Sequence, residues 1–349
     1  MDSIFSHRIA KSYRLQKSNF DGHKGSFWSS IESKNDDIDA ALNSEDFNTL
    51  ARILSDPVKT ELFYGMDILY SSSDTVSPAT APVELIRNSL YFLGEATGAI
   101  GISNPEANGR RVGNLDLEDL LGKIEEITQI PIEFPNPFDG EYGLPSTRGM
   151  ISHRAILGIY QAWRTLALTR IYGNRVLEIG GGTGRAAYYA RRAGILDYTI
   201  VDIPMTSVAQ ATWLGEVIGP QNIELLGEEQ SANNIKLVDQ QKLIKSGKNF
   251  DLVVNVDSMT EMALQVATDY VDYIVSHSKT FLSMNHEVNH FKVCDLPGLG
   301  KFQQSRNYCW IRPGYVEEIF KIEKKIPENS MMGIVRHLPF LKFAKNKIS

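Results

Sequence analysis

From residue 174 onward, short apolar runs alternate with amphipathic stretches. Arg175 to Ile179, Tyr198 to Val201, Ile223 to Leu226, Asp251 to Val256 and Thr280 to Met284 are compact and rich in aliphatic and aromatic residues, so they read as buried strands. Between them, Arg185 to Ala193, Pro204 to Ile218 and Thr260 to Val275 read as helices. Gly194 and Gly219 are placed to stop the first two, and Pro204 suits a first helical residue. Pro313 predicts a short helix through Phe320. Ile322 to Ile326 and Gly333 to Leu338, around Glu328-Asn329-Ser330, predict a closing hairpin. Strands alternating with helices predict an α/β fold with a doubly wound, mostly parallel, seven-stranded sheet of Rossmann-like type, the hairpin adding an antiparallel edge.

The chain before residue 150 is less regular. Asp36 to Leu54, Val83 to Leu93 and Leu115 to Ile127 carry helical periodicity, while Ser71 to Pro82 and Asn104 to Asn114 have loop composition. Pro131 to Pro137 cannot be helical throughout. Ser152 can cap a helix running to Tyr172, closed by Gly173. The expected organisation is a mostly helical N-terminal region, 1–150, serving as substrate lid or oligomerisation surface, followed by a ligand-binding domain, 151–349.

Composition narrows the function classes. With 349 residues, 42% hydrophobic and 22% charged, the chain is an ordinary globular protein able to bury a sizeable core. A formal net charge of −6 argues against a broad nucleic-acid footprint. Cys294 and Cys309 are too few for a disulfide scaffold. Met1 to Gln16 lacks the apolar core of a signal peptide, and no run is long enough to span a membrane, so a cytoplasmic protein is expected.

The most informative segment is Val176-Leu177-Glu178-Ile179-Gly180-Gly181-Gly182-Thr183-Gly184. It is an apolar strand with an acid near its end, then a glycine turn, then a helix whose N-terminal N–H groups are available to a ligand. Two cofactors use such a turn: a dinucleotide, through its pyrophosphate, and S-adenosylmethionine, which has no phosphate and carries an ammonium group. Gly182-x-Gly184-x-x-Ala187 satisfies the loose dinucleotide pattern. Glu178 favours the second cofactor, because a carboxylate beside the turn suits an ammonium and sits awkwardly against a pyrophosphate. Asp202, at the end of the next strand, can accept hydrogen bonds from ribose hydroxyls of either.

Leu177-Glu178-Ile179-Gly180-Gly181-Gly182, Val201-Asp202-Ile203-Pro204 and Asn255-x-x-Ser258-Met259-x-Glu261-Met262 resemble class I S-adenosylmethionine-dependent methyltransferases. More narrowly, they resemble the sugar O-methyltransferases encoded with bacterial polysaccharide and glycoside pathways. The narrower match covers roughly residues 140–300. It implies S-adenosyl-L-methionine as cofactor and transfer of a methyl group to a hydroxyl of a sugar or glycoside. It also implies that Glu178, Gly180 and Gly182 face the methionine half, Asp202 holds the ribose and Ile203 lies against adenine. Gly227 and Glu228 would meet the adenine edge, and Asn255 and Val256 would flank the sulfonium.

A sugar hydroxyl is a poor acid, so a general base at the carboxyl ends of the fourth and fifth strands is expected. Asp257, Glu261, His286 and Glu287 fall there, with His286 and Glu261 the leading candidates. No helical His-x-x-x-His or dense acid cluster points to a metal. Tyr308 and Trp310 could pack on a sugar ring or simply on the core. The expected partners are a small-molecule or glycan acceptor and, compatibly, a second copy of the chain, with no nucleic acid. Two other functions fit the same residues: an NAD(P)-dependent oxidoreductase, and a non-catalytic module of methyltransferase fold.

Overall fold

A computed structural model describes residues 1–20, 33–63, 80–102, 116–138, 141–229 and 231–322. The N-terminal part is helical: α1 (Ser3–Asn19), α2 (Asp36–Asn43), α3 (Phe47–Leu54), α4 (Thr80–Thr97) and α5 (Leu117–Thr128). The helix expected over 36–54 is two helices, because Asp46 breaks it by accepting from the Thr49 N–H and capping α3. Helix α1 was not anticipated from periodicity. Its buried face mixes Phe5, Ile9 and Tyr13 with Ser6, Ser12 and Gln16, which blurs the apolar stripe.

A two-stranded ribbon, β1 (Leu144–Ser146) and β2 (Gly149–Ile151), leads into α6 (His153–Tyr172), capped by Ser152 as its sequence predicts. Then β3 (Val176–Ile179), α7 (Arg185–Arg192), β4 (Tyr198–Val201), α8 (Pro204–Ile218), β5 (Ile223–Glu224), β6 (Ile235–Val238), α9 (Gln240–Ser246), β7 (Leu252–Val256), α10 (Leu264–His277) and β8 (Thr280–His286) follow. Strands β9 (Gln303–Tyr308) and β10 (Tyr315–Lys321) complete the sheet.

The sheet is doubly wound and mostly parallel, with eight strands in the order β5-β6-β4-β3-β7-β8-β10-β9. The strands from β5 to β8 in that order pair in parallel, whereas β10 is antiparallel to both β8 and β9. The chain leaves β3 toward β4 on one side and returns to β7 on the other. The crevice at the carboxyl end of β3 is therefore the switch point, where open α/β sheets bind ligands.

Three sequence expectations need correction. The hairpin exists, but it is β9–β10, earlier in the chain than expected; Gly333 to Leu338 and most of Ile322 to Ile326 lie outside the described residues. The helix expected from Pro313 to Phe320 is strand β10. Adjacent Glu317 and Glu318 hid its strand character, yet both are buried on opposite faces. Glu317 takes Arg164 at 2.7 Å and Tyr160 at 2.8 Å, and Glu318 takes Arg306 at 2.7 Å. Finally, the apolar pattern does not reveal β6, so Ile223 to Leu226, here β5, takes the place of the third strand in the sequence. Lys236 in β6 disguises a buried strand, its ammonium reaching Asp197 at 3.0 Å.

Candidate active site

A cavity of about 240 Å³ opens at the carboxyl ends of β3, β4, β6 and β7. The glycine turn forms its floor. Gly180 has φ +74°, and an added Cβ there would stand 2.1 Å from Ser258 Oγ, so both backbone conformation and space require glycine. Gly182, at φ +55°, has nothing within 4 Å of where its Cβ would be and borders the cavity.

The turn's own amides are largely engaged inside the protein. Gly180 N–H donates to Val201 O at 2.9 Å, Gly181 N–H to Asp202 Oδ2 at 2.9 Å, and Gly184 N–H to Gly181 O at 2.9 Å. Asp202 also accepts from Ile203 N–H at 2.9 Å and from Gln210 at 2.7 Å, and the Gly182 N–H stabilises its charge as well. It still borders the cavity, half-buried. Desolvation pushes its pKa up to about 7, with those hydrogen bonds opposing the shift.

Glu178 lies beneath the turn, 2% exposed, and also borders the cavity. Its carboxylate accepts from Gln161 Nε2 at 2.5 Å and from the Tyr198 hydroxyl at 3.0 Å. Burial pushes its pKa up to about 7, the two hydrogen bonds pull it back, and the charge of Asp202 raises it further. Arg185, at the start of α7, reaches the cavity too, but its charge is matched by Glu141 in a buried pair at 2.7 Å.

Of the residues expected at the cofactor, the structure brings Glu178, Gly180, Gly182, Asp202, Ile203 and Val256 to this cavity. Asn255 is buried below it: its side-chain amide donates to Ile179 O at 2.9 Å and Ser258 Oγ at 2.5 Å, and its oxygen accepts from Asn285 at 2.8 Å. Gly227 and Glu228 are not among the lining residues. Glu228 instead binds Arg8 of α1, with Nε–Oε1 at 2.6 Å and Nη2–Oε2 at 2.9 Å. At the carboxyl end of β6, the strand next inward from β5, Asp239, Gln240 and Gln241 border the cavity instead. Recognising β6 in the sequence would have found them.

Across the cavity, Asp257, Ser258 and Glu261 follow β7, and Arg312 arrives from the loop between β9 and β10. Asp257 sits at φ +56°, an unusual conformation for a residue with a side chain. It is held by Arg312 Nη2 at 2.5 Å and the Tyr315 hydroxyl at 2.7 Å, with the Arg312 guanidinium 3.7 Å over the Tyr315 ring. His286 is not a lining residue; its Nε2 stands 3.6 Å from Asp257 Oδ1, behind that carboxylate. Asp257, Glu261 and His286 offer one metal-ligand atom each within 4.8 Å of one another, but the Arg312 cation already bears on this group. Glu287 is not a lining residue and is paired with Arg306 at 2.6 Å. Tyr308 and Trp310 are 64% and 41% exposed and do not line the cavity.

No family model matches the chain, and no curated protein matches it. Among solved structures it is similar to magnesium protoporphyrin IX methyltransferase from Synechocystis PCC 6803 with bound SAM, at 12% identity over 70% of this chain and 98% of the other, with a TM-score of 0.36. It is also similar to PigF with SAH, at 13% identity over 48% of this chain and 58% of the other, with a TM-score of 0.30. An O-methyltransferase family protein from Burkholderia thailandensis gives 13% identity, 50% and 60% coverage and a TM-score of 0.30. The chain thus spans less than two thirds of the last two chains. Among the described residues, no helix is long and apolar enough to cross a membrane.

Proposed function

We propose that this chain is an S-adenosylmethionine-dependent O-methyltransferase acting on a hydroxyl of a sugar or glycoside. The observation that carries the cofactor choice is the state of the glycine turn. A pyrophosphate needs several unengaged amides, and here the Gly180, Gly181 and Gly184 N–H groups already have partners within the protein. Glu178, Asp202 and Asp239 border the same cavity, and the charge of Arg185, at the start of α7, is matched by Glu141. Such an environment repels a dinucleotide's phosphates and suits a ligand bearing an ammonium, a sulfonium and ribose hydroxyls.

When bound, S-adenosylmethionine supplies a methyl group activated by its positively charged sulfur. Glu178 would hold its ammonium, Asp202 its ribose and Ile203 its base. The acceptor lies on the β7 side. There Asp257, fixed by Arg312 and Tyr315, orients the acceptor hydroxyl, and Glu261, which borders the cavity, takes its proton. His286 acts behind Asp257, as a positioning residue. The sugar class rests on the sequence resemblance through the Asn255 to Met262 segment.

Calorimetric titration with S-adenosylhomocysteine and with NADH tests the cofactor, and labelled methyl transfer into a panel of glycosides and nucleotide sugars tests the acceptor. The expected result is binding of the first ligand only, with label recovered on a sugar oxygen. Binding of NADH alone would sink the reading in favour of an oxidoreductase. Cofactor binding without transfer to any acceptor, including a whole-cell extract, would leave a non-catalytic module.

A further inference from the structure

We propose that the carboxyl end of α1 is part of the cofactor site: Asn19 and Phe20 close its base-binding end, so that docking of α1 and binding of cofactor stabilise one another. The inference rests on the cofactor reading above. With the ammonium at Glu178, in β3, and the ribose at Asp202, after β4, an adenosine continues across the sheet to the end of β6. That end is Asp239. Its Oδ1 caps α9 by accepting from Lys242 N–H at 2.5 Å, and its Oδ2 accepts from Asn19 Nδ2 at 2.9 Å. Gln241 Nε2 donates to Asn19 O at 2.5 Å. Gln16, Asn19 and Phe20 all border the cavity. The wall facing the base therefore comes from two parts of the chain joined by hydrogen bonds. It offers amide and carboxylate groups suited to a purine edge, and an aromatic ring suited to its face.

What holds α1 in place lies elsewhere. Arg8 donates to both oxygens of Glu228, to Pro220 O at 2.9 Å and to Ile223 O at 2.9 Å. Phe5 packs so closely on Gly215 of α8 that a Cβ there would stand 2.2 Å from its ring. These anchors are outside the cavity, so they can be weakened without touching a ligand. If the helix only braces the fold, loosening them changes stability alone. If it completes the site, cofactor affinity falls with the docked fraction, and the cofactor in return tightens the helix.

The experiment uses the full chain. S-adenosylhomocysteine is titrated by calorimetry into the wild type, Asn19→Ala and Arg8→Ala, and amide hydrogen exchange over residues 3–19 is followed with and without it. Asn19→Ala is expected to bind about three- to tenfold more weakly, the range of one hydrogen bond. Arg8→Ala should lose at least about threefold through reduced docking. Exchange over 3–19 should slow when ligand is present. Wild-type affinity in both variants, with exchange unchanged by ligand, would overturn the proposal while leaving the cofactor reading intact. A wild type that does not bind S-adenosylhomocysteine overturns both. Should Arg8→Ala fail to fold, Asn19→Ala and the wild-type exchange decide the matter.

Discussion

At the scale of single residues, the proposed acceptor chemistry falls to the two acids after β7 and the histidine behind them. Glu261 borders the cavity, whereas His286 reaches it only through Asp257 at 3.6 Å. A base must come within hydrogen-bond reach of the proton it takes. Glu261→Gln should therefore lower turnover by about 10²–10⁴-fold with little change in cofactor affinity. His286→Ala should cost less, and its loss should track the positioning of Asp257 by appearing in the acceptor KM as well as in kcat. Steady-state kinetics of both variants check this. If His286→Ala is the more damaged in kcat and Glu261→Gln keeps near-normal turnover, the proton goes to the histidine. The identities of these residues are legible in the sequence because the Asn255 to Met262 segment follows a plain strand. Their order of access is not, because it depends on the Arg312 and Tyr315 contacts that arrive from a distant hairpin.

At the scale of elements, the ends of β3, β7 and β8 are joined through one buried amide. Asn255 bonds Ile179 O, Ser258 Oγ and Asn285, and accepts from Met259 N–H at 3.3 Å. It shapes both the glycine turn and the segment that carries Asp257 and Glu261. Asn255→Ala would leave several buried polar groups without partners, at about 1–3 kcal/mol for each unsatisfied group. We expect a clear drop in the denaturation midpoint and loss of cofactor binding together. A variant with lowered midpoint but unchanged S-adenosylhomocysteine affinity would show that the two loops are shaped independently. The β3-turn-α7 unit was readable because an apolar run, a glycine cluster and a helix follow in unbroken order. The β6 and β10 strands were not, because their charged residues are buried and paired with Asp197, Arg164 and Arg306, the first two 39 and 153 residues away. With β6 unrecognised, the sequence places the expected adenine contact at Glu228, which anchors α1 through Arg8, whereas Asp239 after β6 borders the cavity.

At the scale of the whole molecule, Glu178 and Asp202 make stability depend on pH. Both carboxyls rise to about 7 on folding, from ordinary values of 4.5 and 3.8. The folded protein then holds protons that the unfolded chain releases, so this part of the stability is fully present below about pH 4 and is lost as pH climbs toward 7. Asp39, Asp251 and Glu228, held low by basic partners, act in the opposite sense and only at more acid pH. Melting the wild type and Glu178→Gln between about pH 5 and 8 separates the two. The wild type should lose stability relative to the variant as pH rises; parallel curves would mean that Glu178 is ionised throughout. A cationic cofactor favours the ionised acids, so its binding near pH 6 should release protons, measurable by calorimetry in buffers of different ionisation heat.

The anchoring of α1 also bears on how the chain is made. Arg8 and Asn19 find their partners 212 to 222 residues downstream. During synthesis the helix leaves the ribosome long before Glu228 and Asp239 exist as polypeptide. Its Tyr13 hydroxyl can meet Asp39 of α2 early, but Phe5 must wait for Gly215 of α8, and Asn19 for Asp239 after β6. Contacts of such long range form late and leave intermediates exposed to aggregation. On the proposed reading, the nucleoside site is complete only after β6 has been made, although part of its wall belongs to a segment made 220 residues before Asp239.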